Sequence, residues 1–272
     1  MRNLTMILFV ALSFNATAQL FKSAPEILMD NPKLKIIYKY QYHKDSTNPE
    51  RISHRTMWLI VGDSLSLFVD PKKLWYKEEL KKIFSVEQLQ EWSLNNPNSS
   101  AREGYRIVKN RKTQNLIYCD YILGIGHLKY EEAIQLNWEM TEDTAHILGY
   151  PVQRAVTAYG GRKWEAWFSP AISISDGPYK FMGLPGLILM MQDSQQHFVF
   201  EAVSVEEPAP GDFIGIEDVR YTIMSRERFL KESRKLIEDF INHPAALQLP
   251  REEDRLRVVE NLKSLNNPIE LK

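Results

Sequence analysis

The chain has a single cysteine, Cys119, among 272 residues. An internal disulfide is therefore excluded, and any stability must come from burying side chains rather than from crosslinks between cysteines. Cys119 sits in the β-type run Leu116 to Ile122 with no Cys-x-x-Cys partner and no activating cation beside it in sequence, so it reads as a buried small hydrophobe. Charge of one sign is also missing: 34 Lys and Arg stand against 35 Asp and Glu, with no strong run of either. A nucleic-acid partner would require a basic excess, and none is present. Beyond the first residues no apolar run approaches the roughly 20 residues that cross a bilayer, which excludes stable membrane insertion by a helix. Glycine in phosphate-binding order is absent too. Gly124-Ile125-Gly126 lacks the third glycine and the lysine of known loops.

The residues of catalysis are equally sparse. The histidines are His43, His54, His127, His146, His197 and His243, and no two have the i, i+4 spacing of a helical zinc site. His43 beside Asp45 is a weak pair, and neither a metal nor a cofactor is expected. No Gly-x-Ser-x-Gly elbow occurs. A triad can be drawn from Ser169, Ser173 or Ser175 with Asp143 and His146, but serine is common at turns, and glycosidase-like paired carboxylates cannot be read from sequence distance. Arg162, after Gly160-Gly161, reads as a solvated or paired turn residue before it reads as an anion site.

What is present starts at the N-terminus. Arg2, the apolar run Met6 to Phe14 and the small residues Ala16-Thr17-Ala18 have the form of a secretory signal peptide cleaved between Ala18 and Gln19. The remainder, residues 19–272, is expected to form one β-rich domain. Lys33 to His43 reads as a strand. Thr56 to Asp70 reads as a hairpin turning at Gly62-Asp63, and Tyr105–Asn110 pairs with Asn115–Ile122. Leu136–Met140, Ile147–Ala158, Lys163–Phe168, Ile188–Gln192 and His197–Val205 continue the meander, with Gly160-Gly161 and Asp193 to Gln196 as turns. The period changes over residues 71–92, read as a helical insert whose lysines (Lys72, Lys73, Lys77, Lys81, Lys82) form a solvated face. Asn95 to Ala101 is a polar loop and Glu206–Asp212 an exposed linker. Ser225 caps a helix reaching Ile241 with Phe229, Leu230, Leu236, Ile237 and Phe240 near one face; residues 251–264 form a last helix, and the chain end reads as frayed. The expected fold is mainly β: one strongly curved antiparallel sheet with flanking helices.

From Trp164 to Leu189 two aromatic runs lead into an apolar loop with fixed glycines and prolines. The segments Gly149-Tyr150, Gly161-Arg162, Ala166-Trp167-Phe168, Gly177-Pro178-Tyr179-Lys180-Phe181 and Gly183–Ile188 strongly resemble the GLPGLI family of exported Bacteroidota proteins. One departure is Gln153, where the resemblance implies a cysteine in some members. More loosely, the strand pattern is similar to the LolA/LolB-like class, implying a curved sheet, a half-barrel, that holds lipid or lipoprotein. The family carries no assigned activity, so the resemblance implies location and fold.

In Leu184-Pro185-Gly186-Leu187, proline and glycine occupy the two central positions of a type II turn, with Gly186 at positive φ, while Gly183 is read as a point of close approach. Phe181, Leu184, Leu187 and Ile188 are too apolar to stay in water. Docking on the protein's own sheet is the preferred reading; a lid over an apolar cavity is the second, a catalytic loop the third. Trp164 and Trp167 point to opposite faces of their strand, at least one of them core and the other free to be a ligand wall or an interface anchor. The functional expectation is a non-enzymatic periplasmic binding protein holding an apolar ligand or a partner segment under residues 177–188. Its candidate contacts are Trp164, Trp167, Phe168, Tyr179, Phe181, Leu184 and Leu187, with Gly183, Pro185 and Gly186 as structural turn. The alternatives are an accessory protein of an outer-membrane complex and a hydrolase with a dispersed site.

Overall fold

The computed structural model describes residues 25–48, 50–80, 104–122, 125–242, 252–263 and 265–271, with scattered residues between 82 and 95. The expected leader (1–18), most of the polar loop at 95–101, Gly124 and His243 lie outside the described residues. Fourteen strands appear among them: β1 (Glu26–Asp30), β2 (Leu34–His43), β3 (Ile52–Val61), β4 (Leu65–Val69), β5 (Arg106–Asn110), β6 (Asn115–Ile122), β7 (Gly126–Ala133), β8 (Glu139–Ile147), β9 (Tyr150–Tyr159), β10 (Arg162–Ser169), β11 (Leu187–Asp193), β12 (Phe198–Glu206), β13 (Ile214–Glu217) and β14 (Thr222–Ile223). The helices are α1 (Pro71–Leu80), α2 (Arg226–Glu238) and α3 (Glu252–Lys263).

Twelve strands form one sheet in the order β14-β7-β6-β5-β4-β3-β2-β12-β11-β10-β9-β8. It consists of two antiparallel meanders, β2 to β7 and β8 to β12, joined where β2 pairs with β12. Only the short β14 runs parallel to its neighbour, so the sheet is mixed, and it does not close. A sheet this wide twists and curls. Its inward face carries the main core. On β2, Ile36, Tyr38, Tyr40 and Tyr42 alternate inward, and Tyr40 stacks on Phe200 of β12 with ring centroids 4.2 Å apart. That cross-strand pair ties the two meanders together. The outward residues Ile60, Leu67, Val69, Val108 and Cys119 form a second cluster, covered by Ile214 and Ile216 of the small β1–β13 ribbon. Arg106 projects outward and clamps that ribbon, reaching Glu26 at 2.7 Å and Glu217 at 3.5 Å. Cys119 is buried, and burial pushes its thiol up to about 11.

The meander expected from the sequence is present, with corrections. Residues 147–158 are not one strand: Leu148 and Gly149, both at positive φ, turn the chain between β8 and β9. The strand read at 136–140 belongs further on, in β8, whose pairing with β9 bulges between Met140 and Thr144. β1, β7, β13 and β14 were not expected. Within the insert read at 71–92, α1 accounts for Pro71–Leu80. Lys73 leaves the expected solvated face: its ammonium donates to the Gly104 carbonyl, and burial lowers its pKa. Ser225 caps α2 as expected, its Oγ accepting from Arg228 N–H, and Phe229 packs against Tyr118 and Tyr130.

The chain end is the largest departure. Residues 265–271 are not frayed; they form a strap across one end of the sheet. Asn267 donates to the His43 and Lys44 carbonyls, Leu271 N–H donates to Gly160, and Arg162 donates to Asn267, Pro268 and Ile269. The strap thus spans from β2, in the first meander, to the β9–β10 turn in the second.

Candidate functional site

The segment from Asp176 to Ile188 leaves β10, crosses the concave face and returns as β11. Its ends are pinned by backbone bonds, Leu187 N–H to Ile172 and Ile188 N–H to Asp176, and Tyr38 donates its hydroxyl to the Ile188 carbonyl at 2.6 Å. Phe181, Met182, Leu184, Leu187 and Ile188 all belong to the main core cluster. The Trp138 indole N–H closes over the segment by donating to the Met182 carbonyl at 3.0 Å.

The expected turn chemistry is reversed between its two glycines. Gly186 does not have positive φ; its N–H donates to the Leu184 carbonyl two residues back, a γ-turn centred on Pro185. Gly186 is glycine because its backbone lies against β10, where a Cβ would sit 2.2 Å from the Ser169 carbonyl oxygen. Gly183 supplies the positive φ instead, at 101°, and a Cβ there would meet the Trp138 indole and the Gln114 amide only at ordinary contact distance, 3.6–3.8 Å. Tyr179 also has positive φ, 54°, a conformation that costs a bulky residue of order 1–2 kcal/mol and is held only when its surroundings require it.

Those surroundings are ionic. Lys180 is completely buried, yet its Nζ lies 2.5 Å from Glu132, 2.7 Å from Glu270 and 2.8 Å from the Tyr130 hydroxyl. The Tyr159 hydroxyl is 3.2 Å away, and the rings of Tyr118, Tyr130, Tyr159 and Tyr179 stand around the ammonium at cation–π distance. Glu270 comes from the strap. It accepts the Tyr179 hydroxyl and binds the Arg226 guanidinium of α2, which also reaches Glu132 at 3.6 Å. Burial raises the Glu270 pKa, but Lys180, Tyr179 and Arg226 together outweigh it and hold the carboxyl below its ordinary value. Burial, Glu270 and Glu132 push the hydroxyls of Tyr130 and Tyr159 up. The cluster is therefore two cations against two carboxylates, neutral in sum, and locked by mutual hydrogen bonds. A second buried pair, Lys109 with Asp176 at 2.5 Å, fixes the start of the segment.

Of the residues singled out from the sequence, Trp164, Phe168, Tyr179, Phe181, Leu184 and Leu187 come together in one core cluster. Trp164 packs on Phe181 with centroids 4.7 Å apart. Trp167 stands on the opposite face of β10, half-buried, donating to Glu165. The possible triad does not assemble: Ser169 donates to the Pro151 carbonyl, Ser175 accepts from Gly183 N–H, and Asp143 holds Arg154. Arg162 is a structural residue, paired with Asp193 at 3.1 Å and bonded to the strap. Among the described residues no three His, Cys, Asp or Glu side chains are grouped to hold a metal ion, and no helix is long and apolar enough to cross a membrane. Sequence reading passed over Asp176, Lys180 and Glu270. The signal available was that two charges sit inside an otherwise apolar segment, and a charge taken into a core needs a partner.

The outward face carries an open groove of about 590 Å³ between α1, β3 and the loop before β13. Its walls are largely apolar: Trp58, Pro71, Leu74, Trp75, Pro210 and Phe213. Trp75 is 42% exposed, and the Lys35 ammonium lies 4.6 Å from the Trp58 ring.

Residues 161–190 match the profile of a family described as "Protein of unknown function (Porph_ging)". No curated protein matches the chain. Two crystal structures of PNGF-II are similar to it. One has 16% sequence identity and a TM-score of 0.51, over 74% of this chain and 33% of that one. The other has 17% identity and a TM-score of 0.49, over 75% and 32%. This chain thus spans about a third of the length of PNGF-II, and the likeness of the first is one of fold alone.

Proposed function

We propose that this is a non-enzymatic binding protein of the bacterial cell envelope. It is a GLPGLI-family member exported by its signal peptide to the periplasm, and it works without a cofactor. In this reading it is a half-barrel of the LolA/LolB-like kind whose interior is taken by its own Gly177–Ile188 segment, so that capture of an apolar ligand or a partner's apolar segment moves to the outer groove. The observation that carries the reading is the contrast between the two faces. The inward apolar side chains pack into one buried cluster, whereas the outward groove leaves Trp75 exposed beside Trp58, Leu74 and Phe213. Concave, mostly apolar sites of several hundred Å³ are the usual form of a small-molecule or peptide site. Aromatic residues at their centre carry most of the binding energy.

The test is quenching of tryptophan emission by a dibrominated fatty acid, titrated into the mature protein and into Trp75→Ala. The expected result is saturable quenching, weakened about 10-fold or more by the substitution, which removes a central anchor worth roughly 2 kcal/mol. Circular dichroism checks that the variant is folded. Quenching that is absent, or equal in both proteins, removes the groove as the site.

A further inference from the structure

The Lys109–Asp176 pair has features that an ordinary ion pair does not need. Both side chains are completely buried, with Nζ and Oδ1 2.5 Å apart. Asp176 Oδ2 is buried and has no hydrogen-bond partner among the described residues; the Arg111 guanidinium stands 3.9 Å from it. Nζ is further held in place by the Gly177 carbonyl, and Oδ1 by the Gly177 N–H. Ser66, which faces Lys109 across the β4–β5 ladder, also has a buried hydroxyl without a partner among the described residues. Burial out of water favours the neutral form of an amine. Burial does lower the Lys109 pKa. A lysine amine and a carboxyl group held against each other, away from water, are the reactant pair for an amide.

We propose that Lys109 and Asp176 are the site of a self-formed isopeptide bond that tethers the Gly177–Ile188 segment to β5. The proton of the ammonium passes to Oδ1, leaving a free amine and a carboxylic acid. The amine lone pair attacks Cγ, forming the C–N bond, and the displaced electron pair resides on Oδ2, on the side of Arg111. A second proton then moves from nitrogen to the Oδ1 hydroxyl, the C–Oδ1 bond breaks, and one water leaves as the carbonyl re-forms at Oδ2. Nothing is oxidised or reduced and no co-reactant is needed. The crosslink would supply, in a chain with one cysteine, the covalent constraint that disulfides give other exported proteins.

Mass spectrometry of the natively exported protein decides this. The wild-type chain should be lighter than its sequence by one water, about 18 Da. Because cyclisation of an N-terminal glutamine also removes mass, the bond is located by peptide mapping. Trypsin should not cut after Lys109, and the peptide containing it should be recovered joined to the peptide containing Asp176. Asp176→Asn should lose ammonia, about 17 Da, at the same site, and Lys109→Arg should lose nothing. Separate, unmodified Lys109 and Asp176 peptides from folded wild-type protein overturn the proposal, and that result needs no variant to fold.

Discussion

Substituting Glu270 with alanine perturbs the fold at a point where the structure permits a magnitude to be worked out. The carboxylate is buried on a strap residue, lies 2.7 Å from Lys180, accepts the Tyr179 hydroxyl and binds Arg226. Its removal leaves Lys180 fully buried with Glu132 as its one remaining carboxylate, and leaves the Tyr179 hydroxyl without its acceptor. Breaking a buried pair by deleting one partner costs about 3–5 kcal/mol. For a domain of this size each kcal/mol lowers Tm by about 2–4 °C, so the expected drop is on the order of 10 °C. Glu270→Gln, which keeps the shape and an acceptor but not the charge, should fall between the two. The sign of the pH dependence follows from the lowered Glu270 pKa. A carboxyl whose folded pKa lies below its ordinary 4.5 contributes stability that is fully present above that value and is lost as pH falls through the folded pKa. The gap between wild type and Glu270→Gln should therefore be constant near neutrality and shrink below about pH 4.5. Thermal melts followed by circular dichroism at several pH values measure both. An alanine variant melting within about 1 °C of wild type, or a gap that widens in acid, would refute the assignment of the strap as an integral part of the core.

Two more substitutions separate the roles of the motif's residues. Gly186→Ala forces a Cβ against the Ser169 carbonyl and should cost about 3 kcal/mol or more, whereas Gly183→Ala meets positive φ but only ordinary contacts with Trp138 and Gln114 and should cost about 1–2 kcal/mol; urea unfolding giving the opposite order would contradict the γ-turn geometry. Lys180→Met combined with Glu270→Gln removes one cation and one carboxylate of the buried cluster together. It should destabilise by less than Glu270→Ala alone, by about 1–2 kcal/mol, while amide exchange across residues 177–188 quickens. Unchanged exchange there would show that the charges do not position the segment.

The parts of the fold legible in the sequence were those encoded by local period. Alternation on β2 and the turn residues around β3–β4, β9–β10 and β11–β12 are short-range signals, and the elements stand where those signals put them. β7 was missed because its apolar face is short: Leu128 and Tyr130 alternate with Lys129 and Glu131 of the other face, and Glu132 then breaks the run. The strap was missed for a different reason. Asn266-Asn267-Pro268 has loop composition, and nothing local says that Glu270 will meet Lys180. Likewise Leu-Pro-Gly-Leu is compatible with both a type II turn and a γ-turn. The choice is made by β10, whose Ser169 carbonyl occupies the place of a Cβ at Gly186. Long-range contacts decided each feature that local reasoning misread.

The buried charges of the motif are best understood as selectors of position. Replacing a buried ion pair by apolar residues is often neutral or stabilising, so net stability does not explain their presence. An apolar segment crossing a wide apolar concavity, however, has many placements of similar energy, because hydrophobic burial is non-directional. Lys180 removes that freedom. It can be buried at low cost only where Glu132 of β7, Glu270 of the strap and the hydroxyls of Tyr130 and Tyr159 converge, and Asp176 only where Lys109 of β5 meets it. β5 and β7 belong to the first meander, whereas the segment itself connects β10 to β11 in the second. The two ion clusters therefore fix the meanders against each other at points far from their one shared seam between β2 and β12. In a sheet that does not close, this supplies a constraint that strand pairing cannot.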